Sequence, residues 1–327
     1  MNQQLKDMVS LASVDLSSPE ENIIRDLMQQ FTTVGFASLT NFVEWNQTEH
    51  LEMIKALHSL TAEEKSQLYL QHHNKQNKNR YRGMQPFMDN DVSHKELFDM
   101  GYPWAWTSDE QRKYPLVEET PFPTSEKLAW IREAYEKHYM LFHNLAMKLI
   151  QYVAIGLGKS RDFFDSWFDK DPMSTFRSIY YLPRSESTVK SDKLTSDDIK
   201  LTTPPHCDSG FLTLLATFGQ PGLQVKIDGE FRSIKPVDNT LVVNLGETFS
   251  RITNFKVKAT LHQVLDIGVV RYSSPFFCDP KYSTIIPSNM LLPEEEQTEP
   301  PIVFGNWLIS NMKAKYVEWH DSELEGI

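Results

Sequence analysis

The feature that most narrows the fold of this chain is its texture beyond Pro172. Short apolar runs of β type follow one another at 175–182, 211–218, 223–227, 231–234, 240–245, 260–265 and 269–274, separated by turn residues. Runs of about four to eight residues with this punctuation read as strands. Asp228-Gly229, between two of them, is a hairpin signal, because both turn positions need a positive φ. Parallel strands would require a long crossover, usually a helix, between successive runs. No helical stretch intervenes here, so an antiparallel sandwich or jelly roll is expected.

The first third of the chain reads as helical. Ser18-Pro19-Glu20-Glu21 has the form of a capping box with proline at the first helical position. Ile23, Ile24, Leu27, Met28 and Phe31 then keep helical spacing up to a stop at Gly35. Thr61-Ala62-Glu63-Glu64 is a second capping box. From about Ser125 a long amphipathic run carries Leu128, Ile131, Tyr135, His138, Phe142, Leu145, Leu149 and Tyr152 on one face and ends at Gly156 and Gly158. His138 lies on that apolar stripe and reads as a core histidine. The expected organisation is a helical or mixed N-terminal module over 1–120, followed over 121–327 by the long helix and the β-rich unit. The fold class is mainly β with flanking helices. The polar stretch 185–200 reads as a surface loop, and Glu294–Glu296 as a solvated acidic run.

Composition limits the partners. Lys and Arg number 33 against 44 Asp and Glu, a net charge of −11, which argues against nucleic acid and anionic membrane, since both reward clustered cations. No apolar stretch approaches the roughly 18 residues of a membrane helix. Cys207 and Cys278 stand alone, so neither a disulfide framework nor a four-thiolate site can form. The opening Met-Asn-Gln-Gln-Leu-Lys-Asp lacks the layout of a secretory signal. A soluble cytoplasmic protein, monomeric and acting on a small molecule, is the expectation.

Within the β region, His206-Cys207-Asp208 places an imidazole and a carboxylate two positions apart. On a strand such residues share a face and project toward one point. With ten His in the chain such a pair also arises by chance, so its weight comes from its companions. A third donor is available at His262. Two imidazoles and one carboxylate on one side of a cation form the facial triad of non-haem Fe(II) oxygenases, with the opposite side open. Arg271 sits inside the apolar run Val269-Val270-Arg271-Tyr272-Ser273, with Ser273 on its face. A guanidinium removed from water needs an anionic, hydrogen-bonding partner; a carboxylate held by Arg271 and Ser273 answers that need. An arginine on the outer face of an edge strand would look the same in sequence. A hairpin turning near 266–268 would bring Arg271 alongside His262.

His206-x-Asp208, His262 and Arg271-x-Ser273, with the linking Gly222-Leu223-Gln224-Val225 and Val243-Asn244-Leu245-Gly246-Glu247, resemble the isopenicillin-N-synthase-like branch of the Fe(II)/2-oxoglutarate-dependent oxygenases. Upstream, Ser13-Val14-Asp15-Leu16-Ser17, Val34-Gly35-Phe36, Leu60-Thr61-Ala62-Glu63-Glu64-Lys65 and Lys95-Glu96-Leu97-Phe98-Asp99-Met100-Gly101 are similar to stretches of that branch, in the same order. The resemblance implies a double-stranded β-helix (jelly-roll, cupin-like) core. It implies that His206, Asp208 and His262 are the iron ligands and the catalytic centre. Arg271 and Ser273 would then bind the distal carboxylate of the co-substrate 2-oxoglutarate, Tyr181 would touch that co-substrate, and Phe277 would line the substrate pocket. Arg177, Arg80 and Arg82 are further candidates to meet a substrate carboxylate.

The activity so implied consumes O2 and 2-oxoglutarate and hydroxylates, desaturates or cyclises a small-molecule metabolite. Cys207 stands where the family usually has threonine or a similar residue and is expected to turn away from the metal. The 185–200 loop is longer than the family's usual one and is a candidate lid. Other readings use the same residues: an oxidase of the isopenicillin N synthase or aminocyclopropane-carboxylate oxidase type that needs no 2-oxoglutarate, a non-enzymatic metal-binding module, and a zinc hydrolase.

Overall fold

The structure is a computed structural model that describes residues 7–88, 91–103, 113–184, 195–293, 296–297 and 299–315. The N-terminal part supplies strands β1 (Ser13–Asp15), β2 (Phe36–Thr40), β3 (Gly83–Gln85) and β4 (Lys95–Met100). Beyond the long helix come β5 (Thr175–Tyr181), β6 (Leu201–His206), β7 (Leu212–Ala216), β8 (Leu223–Ile227), β9 (Glu230–Ser233) and β10 (Leu241–Leu245). The series closes with β11 (His262–Leu265), β12 (Arg271–Cys278), β13 (Ile285–Ile286) and β14 (Ile302–Val303). Helices are α1 (Glu20–Thr33), α2 (Gln47–His58), α3 (Ala62–Ser66), α4 (Ala129–Gly156), α5 (Asp165–Phe168), α6 (Glu247–Ile252) and α7 (Phe304–Lys315). Among the described residues no helix is long and apolar enough to cross a membrane.

Two sheets form the core. The larger runs β1-β2-β10-β7-β12-β5-β4-β3 and the smaller β6-β11-β8-β9. Their inner faces meet through two apolar clusters. Phe36, Val242, Leu223, Val225 and Ile234 form one, and Leu97, Ile179 and Tyr181 packed on Val264 form the other. This is the jelly roll that the strand spacing predicts. The strands of the N-terminal part join the larger sheet at both edges, β2 on β10 and β4 on β5. Asp228 (φ 51°) and Gly229 (φ 84°) make the β8–β9 hairpin, as their residue types require.

The outer face of the larger sheet is covered by α4, whose buried stripe includes Ile131, Tyr135, Tyr139, Phe142 and Leu149. The Phe142 ring lies 5.4 Å from Phe176 on β5, and Tyr139 lies 5.2 Å from Phe276 on β12. Each such ring, once buried, contributes about 1.5–3 kcal/mol. His138 sits on the same stripe as a core residue, its Nδ1–H donating to the Ala134 carbonyl at 2.8 Å. Thr61 caps α3 with the reciprocal capping box its sequence announces. Gly35, at φ 81°, ends α1.

Three local expectations change. The first concerns Ser18, which does not cap α1: the N-cap is Pro19, with no side-chain bond. Asp15 Oδ1 accepts from the Ser17 N–H and hydroxyl and from Asn41, which fixes the preceding turn and delays helix entry by one residue.

Secondly, β12 begins at Arg271, leaving Val269 and Val270 exposed, and it continues through Pro275. Proline has no N–H for the ladder. The Arg177 carbonyl on β5 is satisfied instead by the Ser274 hydroxyl at 2.8 Å, which His50 Nε2 contacts at 3.1 Å.

The third is α6, a helix interleaved after β10 where none was expected. Its first N–H groups, on Glu247, Thr248 and Phe249, donate to the carbonyls of Asp208, Ser209 and Gly210 at 2.7, 3.1 and 3.4 Å. Those orphan donors of a helix start thereby hold the turn after β6.

Candidate metal centre

The end of β6, the turn beyond it and the start of β11 converge. His206 and His262 are directly paired across β6 and β11, with ring centroids 4.2 Å apart. Each ring uses Nδ1–H to donate to a carbonyl two residues earlier, Pro204 at 2.9 Å and Thr260 at 3.0 Å. That bond fixes the tautomer and leaves both Nε2 lone pairs directed at one point. Asp208 Oδ1 lies 3.7 Å from His206 Nε2 and 3.6 Å from His262 Nε2. The three donor atoms lie within 4.8 Å of one another. A divalent ion at roughly 2.1 Å from each donor needs little further convergence.

The other carboxylate oxygen has its own partners. Asp208 Oδ2 accepts from Thr213 Oγ1 at 2.6 Å and from Asn244 Nδ2 at 2.7 Å, which orients Oδ1 toward the imidazoles. Burial pushes the Asp208 carboxyl up, but the neighbouring His262 and His206 and the two donors outweigh it and hold it below its ordinary value. Burial, reinforced by His262, pushes the His206 imidazole down to about 4. Both groups are therefore in their metal-binding forms at neutral pH. The His206 side chain is 37% exposed against 9% for His262, so the centre opens on the β6 side. Cys207, between the ligands, contacts the Ala259 carbonyl at 3.6 Å and is not part of the donor cluster.

Gly246 is required where α6 meets this turn. A Cβ there would stand 2.3 Å from the Gly210 carbonyl oxygen and 2.9 Å from that of Asp208. Gly246→Ala is expected to lower the melting temperature and weaken divalent-metal binding together. A variant that melts and binds Mn(II) like the parent would show that the turn has room to spare.

Arg271 is not the hairpin neighbour of His262. β11 pairs with β6 and β8 in the smaller sheet, whereas β12 pairs with β5 and β7 in the larger one. The chain crosses between sheets at 266–270, as jelly-roll connections do, so the arginine approaches the centre from the opposite wall. Arg271 is 2% exposed, and among the described residues its Nε and Nη1 have no hydrogen-bond partner. Its guanidinium lies 4.4 Å above the Tyr181 ring, and the Tyr181 hydroxyl is 3.2 Å from Ser273 Oγ. An unsatisfied, buried cation of this kind is costly to leave alone and points to an anionic ligand. Arg271, Ser273 and Tyr181 thus fit a carboxylate, and the triad fits a ferrous ion.

The other candidates are placed differently. Arg177 forms a bidentate pair with buried Asp99, at 2.6 and 2.7 Å, and its guanidinium lies 5.5 Å over the Phe277 ring. Arg82 is buried and donates to Thr175 Oγ1 and to the carbonyls of Met173 and Ser174. Arg80 is exposed, with Nε 3.3 Å from Gln71. Residues 185–194 of the lid candidate, and 294–295 of the acidic run, lie outside the described residues. Sequence reasoning missed the roles of Thr213 and Asn244; only Asn244, in Val243-Asn244-Leu245-Gly246-Glu247, belongs to a stretch that the resemblance marks.

Residues 172–280 match the family model of the 2OG-Fe(II) oxygenase superfamily, a span that holds the triad, Arg271, Ser273 and Tyr181. Gibberellin 20 oxidase 4 of Arabidopsis thaliana is 32% identical over 182 residues, 55% of this chain and 45% of that protein. Isopenicillin N synthase of Penicillium chrysogenum is 30% identical over 200 residues, 61% of this chain and 60% of that one. The chain thus spans about half the length of the curated relatives it matches. A full-length Neurospora crassa protein, solved in complex with alpha-KG and thymine, superposes with a TM-score of 0.75 at 21% identity, covering 97% of this chain and 99% of that one. At that identity the likeness is one of fold.

Proposed function

We propose, from the premise that this chain belongs to the 2OG-Fe(II) oxygenase superfamily, that it couples the oxidative decarboxylation of 2-oxoglutarate to C–H oxidation of a small-molecule metabolite. The observation that carries the reading is the buried Arg271, on the sheet opposite His206 and His262, whose Nε and Nη1 lack partners among the described residues. Bound Fe(II) would supply the dioxygen chemistry that no side chain provides.

The chain's own residues do the rest. His206 and His262 present Nε2, and Asp208 presents Oδ1, on one side of the ion, leaving the other side for exchangeable ligands. Arg271 and Ser273 grip the far carboxylate of 2-oxoglutarate, which turns its keto-acid end toward the metal. Tyr181 lies flat beneath the guanidinium and walls the pocket, while Leu97, Ile179 and Val264 keep it dry. In this reading Phe277, with Arg177 over its ring, lines the substrate side. The Neurospora protein's complex with alpha-KG and thymine supports a small organic substrate here. Hydroxylation, desaturation and cyclisation all follow from hydrogen abstraction, and the placement of the C–H bond chooses among them.

The test is succinate and CO2 release with Fe(II) under air, with and without 2-oxoglutarate. Succinate formation that needs both, and that rises with a productive metabolite, is the expected result. Oxygen uptake with substrate but no 2-oxoglutarate would replace this reading with the oxidase one, in which Arg271 holds a substrate carboxylate. Substrate turnover by zinc-loaded protein with neither succinate release nor oxygen uptake would favour a hydrolase.

A further inference from the structure

Lys95 occupies a position that the triad and the Arg271–Ser273 pair leave unexplained. It stands on β4 in register with Tyr181 on β5, and Tyr181 is in register with Arg271 on β12. Residues paired across neighbouring strands point to the same face of a sheet, so all three project into the space between the sheets. The Tyr181 ring is shared by two cations, with the Arg271 guanidinium carbon at 4.4 Å and Lys95 Nζ at 5.9 Å from its centroid. The Lys95 ammonium reaches across to β6, where it donates to the Thr202 carbonyl at 3.1 Å and to Thr203 Oγ1 at 2.8 Å. An ammonium carries three donors, so one remains for a ligand.

The charges around Lys95 are short of an anion. Among the described residues no carboxylate lies within ion-pair reach of it. Asp91, just before β4, acts only from a distance, while Arg177 and Arg271 repel it from β5 and β12. His206 on β6 feels the Lys95 charge in turn. Burial first, and the Arg177 and Arg271 charges after it, push the lysine down to about 7. Arg177 has Asp99, and Asp208 serves the metal centre; Arg271 and Lys95 are left facing the same space.

We propose that Lys95 is the second cation of the keto-acid pocket, and that with Arg271 it makes the pocket select a co-substrate bearing two carboxylates. This rests on the reading that the pocket takes 2-oxoglutarate. Lys95 is a positioning and specificity residue: it adds attraction for the far carboxylate and ties β4 to β6 just ahead of His206.

The experiment compares 2-oxoglutarate with 2-oxopentanoate, which has the same carbon chain without the far carboxylate. Affinities are measured by calorimetry, with competition for weak ligands, on the full chain loaded with Mn(II) at neutral pH. Lys95→Met is expected to weaken 2-oxoglutarate by about tenfold or more and 2-oxopentanoate by less than about twofold. Lys95→Arg should recover most of the loss, and Mn(II) affinity should hold in both variants. Equal weakening of the two acids would assign Lys95 a purely structural role and overturn the proposal, as would no weakening, or an arginine variant no better than methionine. Should Lys95→Met fail to fold, Lys95→Gln read against Lys95→Arg decides between the same outcomes. A parent protein that binds Mn(II) but neither acid would sink the oxygenase reading itself, and this proposal with it.

Discussion

Asp208→Ala is expected to abolish measurable turnover and to weaken divalent-metal binding by more than about 100-fold. The effect exceeds that of losing one donor, because Asp208 supplies the only negative charge in the donor cluster. Without it, His206 and His262 converge on a cation with nothing to offset its charge. The substitution also strips Thr213 Oγ1 and Asn244 Nδ2 of their acceptor. Each donor so orphaned costs about 1–3 kcal/mol, so the variant should melt earlier yet remain folded. Calorimetric titration with Mn(II), alongside a melting curve, separates the two effects. Metal affinity equal to that of the parent, in a folded variant, would refute the centre.

Arg271→Met should act in the opposite sense on stability. In the ligand-free protein the guanidinium is buried with Nε and Nη1 unsatisfied among the described residues. Replacing a buried, unpartnered charge by an apolar side chain of similar length removes that penalty. The ligand-free variant is therefore expected to melt at or above the parent's temperature. Affinity for 2-oxoglutarate should fall by about 100-fold or more, near 3 kcal/mol, while Mn(II) affinity is unchanged. A functional residue that strains the empty fold gives this signature; a structural arginine gives the reverse. Unchanged 2-oxoglutarate affinity, or a large loss of stability, would remove Arg271 from the pocket.

Much of this molecule was legible in one dimension. The short apolar runs 223–227 and 240–245 between turn residues, and the Asp228-Gly229 turn, placed strands and a hairpin close to where they stand, because strand and turn preferences are local. The stripe Tyr135, Phe142, Leu149 located α4 for the same reason. The His206-x-Asp208 spacing marked two donors that do cluster, but β6 ends at His206, so the turn beyond it and not the pleat brings Asp208 alongside. What sequence did not carry was pairing between distant strands. Pro275 looked like the end of a strand, yet β12 continues because a serine hydroxyl stands in for the missing N–H. In sequence Lys95 is marked only as the first residue of a stretch similar to the family's, and only its register with Tyr181 makes it a neighbour of Arg271.

The sequence by itself determined the strand-rich unit, the long covering helix and the residue types able to hold a cation and a carboxylate. Tertiary structure alone decided that Arg271 stands on the sheet facing His262 and not in a hairpin beside it, that Thr213 and Asn244 orient Asp208, and that Lys95 and Arg271 share the Tyr181 ring. The physical reason is the range of the forces. Turn and pleat preferences act over a few residues, whereas which charges face each other across the sandwich follows from how two sheets, built from segments far apart in the chain, come into register.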